Sequence, residues 1–169
     1  MLALRAKSEI LMNDVIAARA IHVLSIVIWI GGVAMITFSI LPAARNRELG
    51  PDRLKAFEAI ERRFASIARI AVLLAGLSGL YMVHRLDLWS RFSQGEFWWM
   101  HAMIFVWLVF AFLLFIAEPL FLHRIFHNWG RRDPDAALKA LQRGHIVLLA
   151  LSLVTIFGAV AGAQGWSLF

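Results

Sequence analysis

Three histidines, His22, His84 and His101, stand near the ends of long apolar runs, and methionines accompany two of them in "YMVH" (81–84) and "WMHAM" (99–103). Two chemistries suit these residue types. One or two imidazoles facing across a helical bundle can hold haem iron, whereas imidazoles mixed with thioethers favour Cu(I). For haem b, His22 and His101 are the candidate axial ligands and His84 a further cofactor contact. Arg19, one turn before His22, and Arg85, next to His84, are cations placed to meet the propionates. For copper, the candidate set is His22, His84, His101, Met82 and Met100. Residues on a helix are about 100° apart, so Met100 flanks His101 while Met103, about 200° away, points to the far side. A haem asks for one imidazole per helix, and that ranks it above a copper site built from "MHAM". His101 is then expected to face the bundle interior, toward His22. Plainer roles exist for all of these residues: histidine at a membrane interface, methionine as core filler, and Trp98 and Trp99 as an aromatic belt.

A second group comprises Glu118, His123, His127 and His145. His123 and His127 are four apart, on one helical face if the helix continues past Pro119. The alternatives are a second metal or haem site, or a positively charged headgroup face with a buried Glu–His pair. No Ser/His/Asp arrangement, glycine-rich phosphate loop or HExxH motif is present, so no catalytic residue is assigned.

These residues are positioned by an apolar chain. Of 169 residues, 61% are apolar and only 17% charged, too apolar for a soluble domain of this size. A membrane span needs roughly 20 apolar residues, and four stretches supply them, at about 20–44, 64–84, 97–120 and 144–165. Within the second, Arg69 is near one end, where a long side chain can snorkel to the interface. The first stretch lacks the small-residue cleavage pattern of a signal peptide. Cysteine is absent, which excludes disulfides, thiolate catalysis and iron–sulfur clusters. The expected fold is all-α: one integral membrane domain, 1–169, built as an antiparallel four-helix bundle with short connections. "DRLKAFEAIERR" and "PDAALKALQR" are expected to extend the second and fourth spans beyond the membrane. Residues 1–18 read as an interfacial helix or a frayed start.

Four crossings put both termini on one side, with five basic residues (Arg5, Lys7, Arg19, Arg85, Arg91). The other side carries the remaining twelve, concentrated in 45–63 and 121–143. The positive-inside rule makes that basic side cytoplasmic and both termini periplasmic, in a bacterial inner membrane. Topology thus accounts for most of the net charge of +6, and no nucleic-acid partner is implied. The layer of His22, His84 and His101 then falls at the periplasmic end, within one to two turns of a common plane.

"IHVLSIVIWIGGVAMITFSILPA" (21–43), "RFASIARIAVLLAGLSGLYM" (63–82) and "WWMHAMIFVWLV" (98–109) resemble the first three spans of the copper-resistance D (CopD-like) and HemJ-type membrane proteins. The resemblance covers most of the chain. It implies haem b and, at His22, the first-span histidine associated with it. HemJ-type proteins are linked to protoporphyrinogen oxidation, and their third span opens with a Trp-x-His-x-Lys pattern. Here Met103 occupies the lysine position, and methionine neither anchors a carboxylate nor moves a proton, so the resemblance does not carry that activity to this chain. For CopD-like proteins it implies periplasmic copper handling, although the larger members have additional spans.

The resulting expectation is a b-type haem protein transferring electrons at the periplasmic face, as an oxidoreductase between quinol and a periplasmic redox protein. The alternatives are a copper-binding or copper-transport protein using the same His/Met layer, and a non-catalytic small subunit of a larger membrane complex. Membrane lipid is a partner in all three.

Overall fold

The computed structural model of the chain describes residues 2–122, 128–130 and 132–166. Every regular element among them is helical. Helix α1 (Leu2–Met35) runs through a π-helical stretch (Ile36–Ile40) into α2 (Leu41–Arg45). Helix α3 spans Arg53–Arg85. Two short 3-10 turns, Trp89–Ser93 and Gly95–Phe97, lead to α4 (Trp98–Phe112), which continues as a π-helix over Leu113–Leu122. Helix α5 spans Pro134–Ala163. Four of these segments are long and apolar enough to cross a membrane: Met12–Arg45, Arg53–Arg85, Gly95–Leu120 and Pro134–Ala163. The chain is an all-α four-helix membrane bundle.

The helices exceed the membrane in length. At about 1.5 Å per residue, α3 is about 50 Å long against a hydrocarbon layer of about 30 Å. Its first turns therefore project at the basic end, as the amphipathic 53–63 pattern predicts. The extension of α5 begins at Asp133, whose carboxylate accepts from Ala136 N–H at 2.9 Å as a helix N-cap. The start of the chain differs from the two readings above, because α1 is continuous from Leu2 into the first span.

Outside and inside divide by side-chain size more than by polarity. Leu24, Val27, Ile70, Leu77, Phe105 and Phe157 are all more than half exposed, as befits lipid-facing positions. The interior holds alanines and hydroxyls. Ala68, Ala71, Val72 and Ala75 form the buried stripe of α3, packed with Trp29, Ile30, Val33, Val106, Phe110 and Leu149. Small residues allow backbones to approach where lipid supplies no hydrophobic drive for helices to associate. Each buried hydroxyl is satisfied on its own helix: Ser25 donates to Ile21 O at 2.7 Å, Thr37 to Val33 O at 2.6 Å, Ser152 to Leu148 O and Thr155 to Leu151 O, both at 2.8 Å. A second cluster of Ile36, Leu41, Ala44, Phe57 and Leu138 closes the basic end. Arg53 ties it together, donating to Arg45 O at 3.1 Å and to the Asp135 carboxylate at 2.8 Å.

Candidate functional site

His22 is half-buried on the interior side of α1 and leans on α3. Its Nδ1–H donates to Ala75 O at 2.8 Å, and Ser78 Oγ lies 3.2 Å from the same nitrogen. Ser78 in turn gives its own proton to Leu74 O at 2.5 Å, so it meets the imidazole as an acceptor. A carbonyl can only accept, which places the ring proton on Nδ1 and leaves Nε2 with a free lone pair. This is how metal-ligating histidines are commonly held: one nitrogen tied to a backbone carbonyl, the other presented. Gly79 makes the posture accessible, because a Cβ there would lie 3.2 Å from His22 Cε1.

Seven residues on from His22, two turns along the same face, is Trp29. It is only 4% exposed, and Phe110 packs edge-on against it at 4.8 Å between ring centres. Its indole N–H is buried with no hydrogen-bond partner. An orphaned buried donor costs about 1–3 kcal/mol. One stripe of α1 thus presents a free imidazole nitrogen and an unmet N–H. The i, i+7 spacing from His22 is the sequence signal for Trp29.

His101 corrects the expectation that it faces His22. It is exposed on the outside of α4. Its Nε2–H donates to Phe92 O at 3.0 Å, and its ring stacks edge-on against Phe92 at 5.6 Å. The loop before α4 folds back and takes up the imidazole, while Met100, next on the helix, occupies the interior position at 4% exposure. The roughly 100° between neighbours allows one of them inside, and the apolar one went there. His84 is exposed at the end of α3. Among the described residues no three His, Asp or Glu side chains are gathered as a metal site, so His22, His84 and His101 do not meet at a point.

The expected propionate partners also have other places. Arg85 is engaged by Asp14, with Nη2 3.1 Å from the carboxylate, and Tyr81 donates its hydroxyl to the same oxygen at 2.8 Å. That carboxylate at the start of the first span neutralises the arginine. Arg19 is exposed. Several glycines of the spans receive side chains of the chain itself, which leaves no flat clearance at them. A Cβ on Gly76 would lie 2.6 Å from the Trp107 ring, whose N–H donates to Val72 O at 2.8 Å. Trp98 fills the notch at Gly158 and Trp99 the one at Gly162. The two tryptophans read as an interfacial belt are therefore also packing keys between α4 and α5.

At the basic end Glu118 has a partner other than histidine. Glu118 forms an ion pair with Arg69, whose Nε–H also donates to Leu114 O at 3.0 Å. Arg69 thus turns into the bundle rather than snorkelling to the interface. Pro119 explains the arrangement. In a π-helix the carbonyl of Leu114 would accept from residue 119, and proline has no N–H to give. Arg69 supplies the missing donor and holds the neighbouring carboxylate. His145 lies half-buried on α5 with Nδ1–H donated to Leu141 O at 3.0 Å. His123 and His127 lie outside the described residues.

No protein-family model, curated protein or solved structure matches this chain.

Proposed function

We propose that this protein is a b-type haem protein of the membrane with electron transfer as its role, in which the His22 imidazole would hold the haem iron through Nε2. The observation that supports the reading is the Nδ1–H to Ala75 O bond, which fixes tautomer and ring direction. The donor chemistry fits the group on one side only. His22 is oriented as a ligand, and Trp29 offers an unmet N–H on the same face. His101, tied to Phe92 O on the bundle exterior, does not fit as an opposing ligand, so no bis-imidazole haem between spans one and three is proposed. When bound, haem supplies one-electron exchange. The chain's own residues orient it: Ala75 O and Ser78 hold the imidazole, and the apolar interior excludes water from it. By the positive-inside rule the basic end is cytoplasmic. The His22 layer is then near the periplasmic face, where a quinol donor and a periplasmic acceptor are the partners this reading proposes.

The test is the visible spectrum and metal content of the purified protein. A reduced-minus-oxidised haem b spectrum, lost in His22→Ala and retained in His101→Ala, is expected. A colourless preparation holding stoichiometric copper would replace haem with the copper reading. Loss of haem in both variants would restore His101 as a ligand.

A further inference from the structure

Arg45 ends α2 with a neutral partner. Its guanidinium donates to the side-chain carbonyl of Gln142 on α5. Gln142 stands at the border of the buried stripe of α5. Leu138 and Leu141, on one side of it, belong with the packed cluster of Ile36, Leu41 and Phe57. Lys139, Arg143 and Ile146 fall within about 100° on its other side, and all three are exposed. The clasp therefore fixes the Arg45 guanidinium at the seam between α2 and α5, beside two further cations. Arg143 is at the edge of the apolar span, since Ile146 and Val147, 47% and 58% exposed, begin its lipid-facing surface. Phe38, 69% exposed, lies two turns before Arg45 on the first span. At Gly144, next to Arg143, a Cβ would meet nothing within 4 Å, so the backbone there is open to an approaching group.

The chain does not neutralise these charges. Among the described residues no carboxylate pairs with Arg45, Lys139 or Arg143. Asp135, on the same side of α5 but about 10 Å farther from the span, is held by Arg53 at 2.8 Å and by Arg47 at 3.9 Å. Glu48, in the loop after α2, accepts from Asn46 at 3.2 Å. Residues 123–127 and 131, outside the described ones, include no acid. An amide holds a guanidinium in place without cancelling its charge, and Gln142 keeps its own NH2 group to give. A guanidinium so oriented suits the paired oxygens of a phosphate. We propose that the seam between α2 and α5 at the basic end binds an anionic phospholipid. Arg45, Gln142 and Arg143 meet its phosphate, Lys139 serves the outer part of the headgroup, and the acyl chains run along Ile146, Val147 and Phe38. The apolar surface directly below the cations favours a lipid over a free phosphate, and basic clusters at span ends attract anionic lipid. The site lies at the opposite end of the bundle from His22 and stands without the haem reading.

The test is electron paramagnetic resonance of chain-labelled lipids with the whole protein in phosphatidylcholine vesicles. Spin-labelled phosphatidylglycerol is expected to enter the motionally restricted, protein-bound fraction with a preference of about fivefold over labelled phosphatidylcholine. The double variant Arg45→Gln, Arg143→Gln should bring that preference to about twofold or less. Gln142→Ala, which leaves the net charge unchanged, should lower it in part. Arg62→Gln with Arg63→Gln removes the same charge from exposed positions on α3 and should retain the preference. Circular dichroism and size-exclusion profiles confirm that each variant is folded. No preference in the wild type, or an unchanged one in either the Arg45/Arg143 or the Gln142 variant, overturns the proposal. An equal fall in the Arg62/Arg63 variant also overturns it, by reducing the effect to general basic charge. Displacement of the bound label by soluble glycerol phosphate would assign the site to a free phosphate and overturn the lipid.

Discussion

Breaking the Arg69–Glu118 pair should couple two spans that each look self-sufficient in hydropathy. Arg69 lies five residues inside Phe64, so its backbone is about 8 Å into the apolar layer. Each side chain is about a third exposed, 32% and 33%, and at this depth that exposure is to lipid. Salt should therefore screen the pair little. Arg69→Met removes a hydrogen bond between charged groups, of about 1.5–3 kcal/mol, and the donor to Leu114 O, of about 1 kcal/mol. It also leaves Glu118 without its counter-charge. The expected loss is about 3 kcal/mol. Glu118→Gln, which leaves an arginine long enough to snorkel, should cost about 2 kcal/mol. In the double variant the losses should fall short of their sum by about 2 kcal/mol. The assay is reversible unfolding in mixed micelles, with a double-mutant cycle at low and high salt. Additivity within about 0.5 kcal/mol would show that the two groups are independent and refute the reasoning.

Two further outcomes are expected. Gly76→Leu, which drives side-chain atoms into the Trp107 ring, should cost about 2 kcal/mol in the same unfolding assay, whereas Gly31→Leu should be near neutral because a Cβ there meets nothing within 4 Å. A reporter fused after Phe169 should be active only outside the cytoplasm, since twelve of seventeen basic residues lie on the side away from the termini; activity in the cytoplasm would invert the bundle and place the His22 layer at the inner face.

Much of the candidate site was visible as residue types but not as partnerships. His22 was legible because an ionisable side chain inside an apolar run has few ordinary roles. Its partners were not, because a backbone carbonyl of α3 carries no sequence signature. His101 had the same local signature and the opposite outcome, decided by whether Phe92 folds back onto it. Glu118 and Arg69 stand out in the sequence as charges near the ends of apolar runs, but nothing local pairs them. The pairing depends on Pro119, which sets the π-helical register and leaves Leu114 O without its usual donor.

By itself the sequence determined four spans, the helical extensions beyond them at the basic end, and the cap at Asp133, because each is a local matter. Lipid acts on every run of about 20 residues separately and leaves a backbone there little alternative to helix. Only the tertiary structure decided which side of each span is inside. In water an amphipathic stripe marks the inner face. In lipid both faces are apolar, so the choice passes to shape and polar pairing: alanines and glycines that admit Trp107, Trp98 and Trp99, hydroxyls that close on their own helices, and a few charged or imidazole groups that must find partners across a helix boundary.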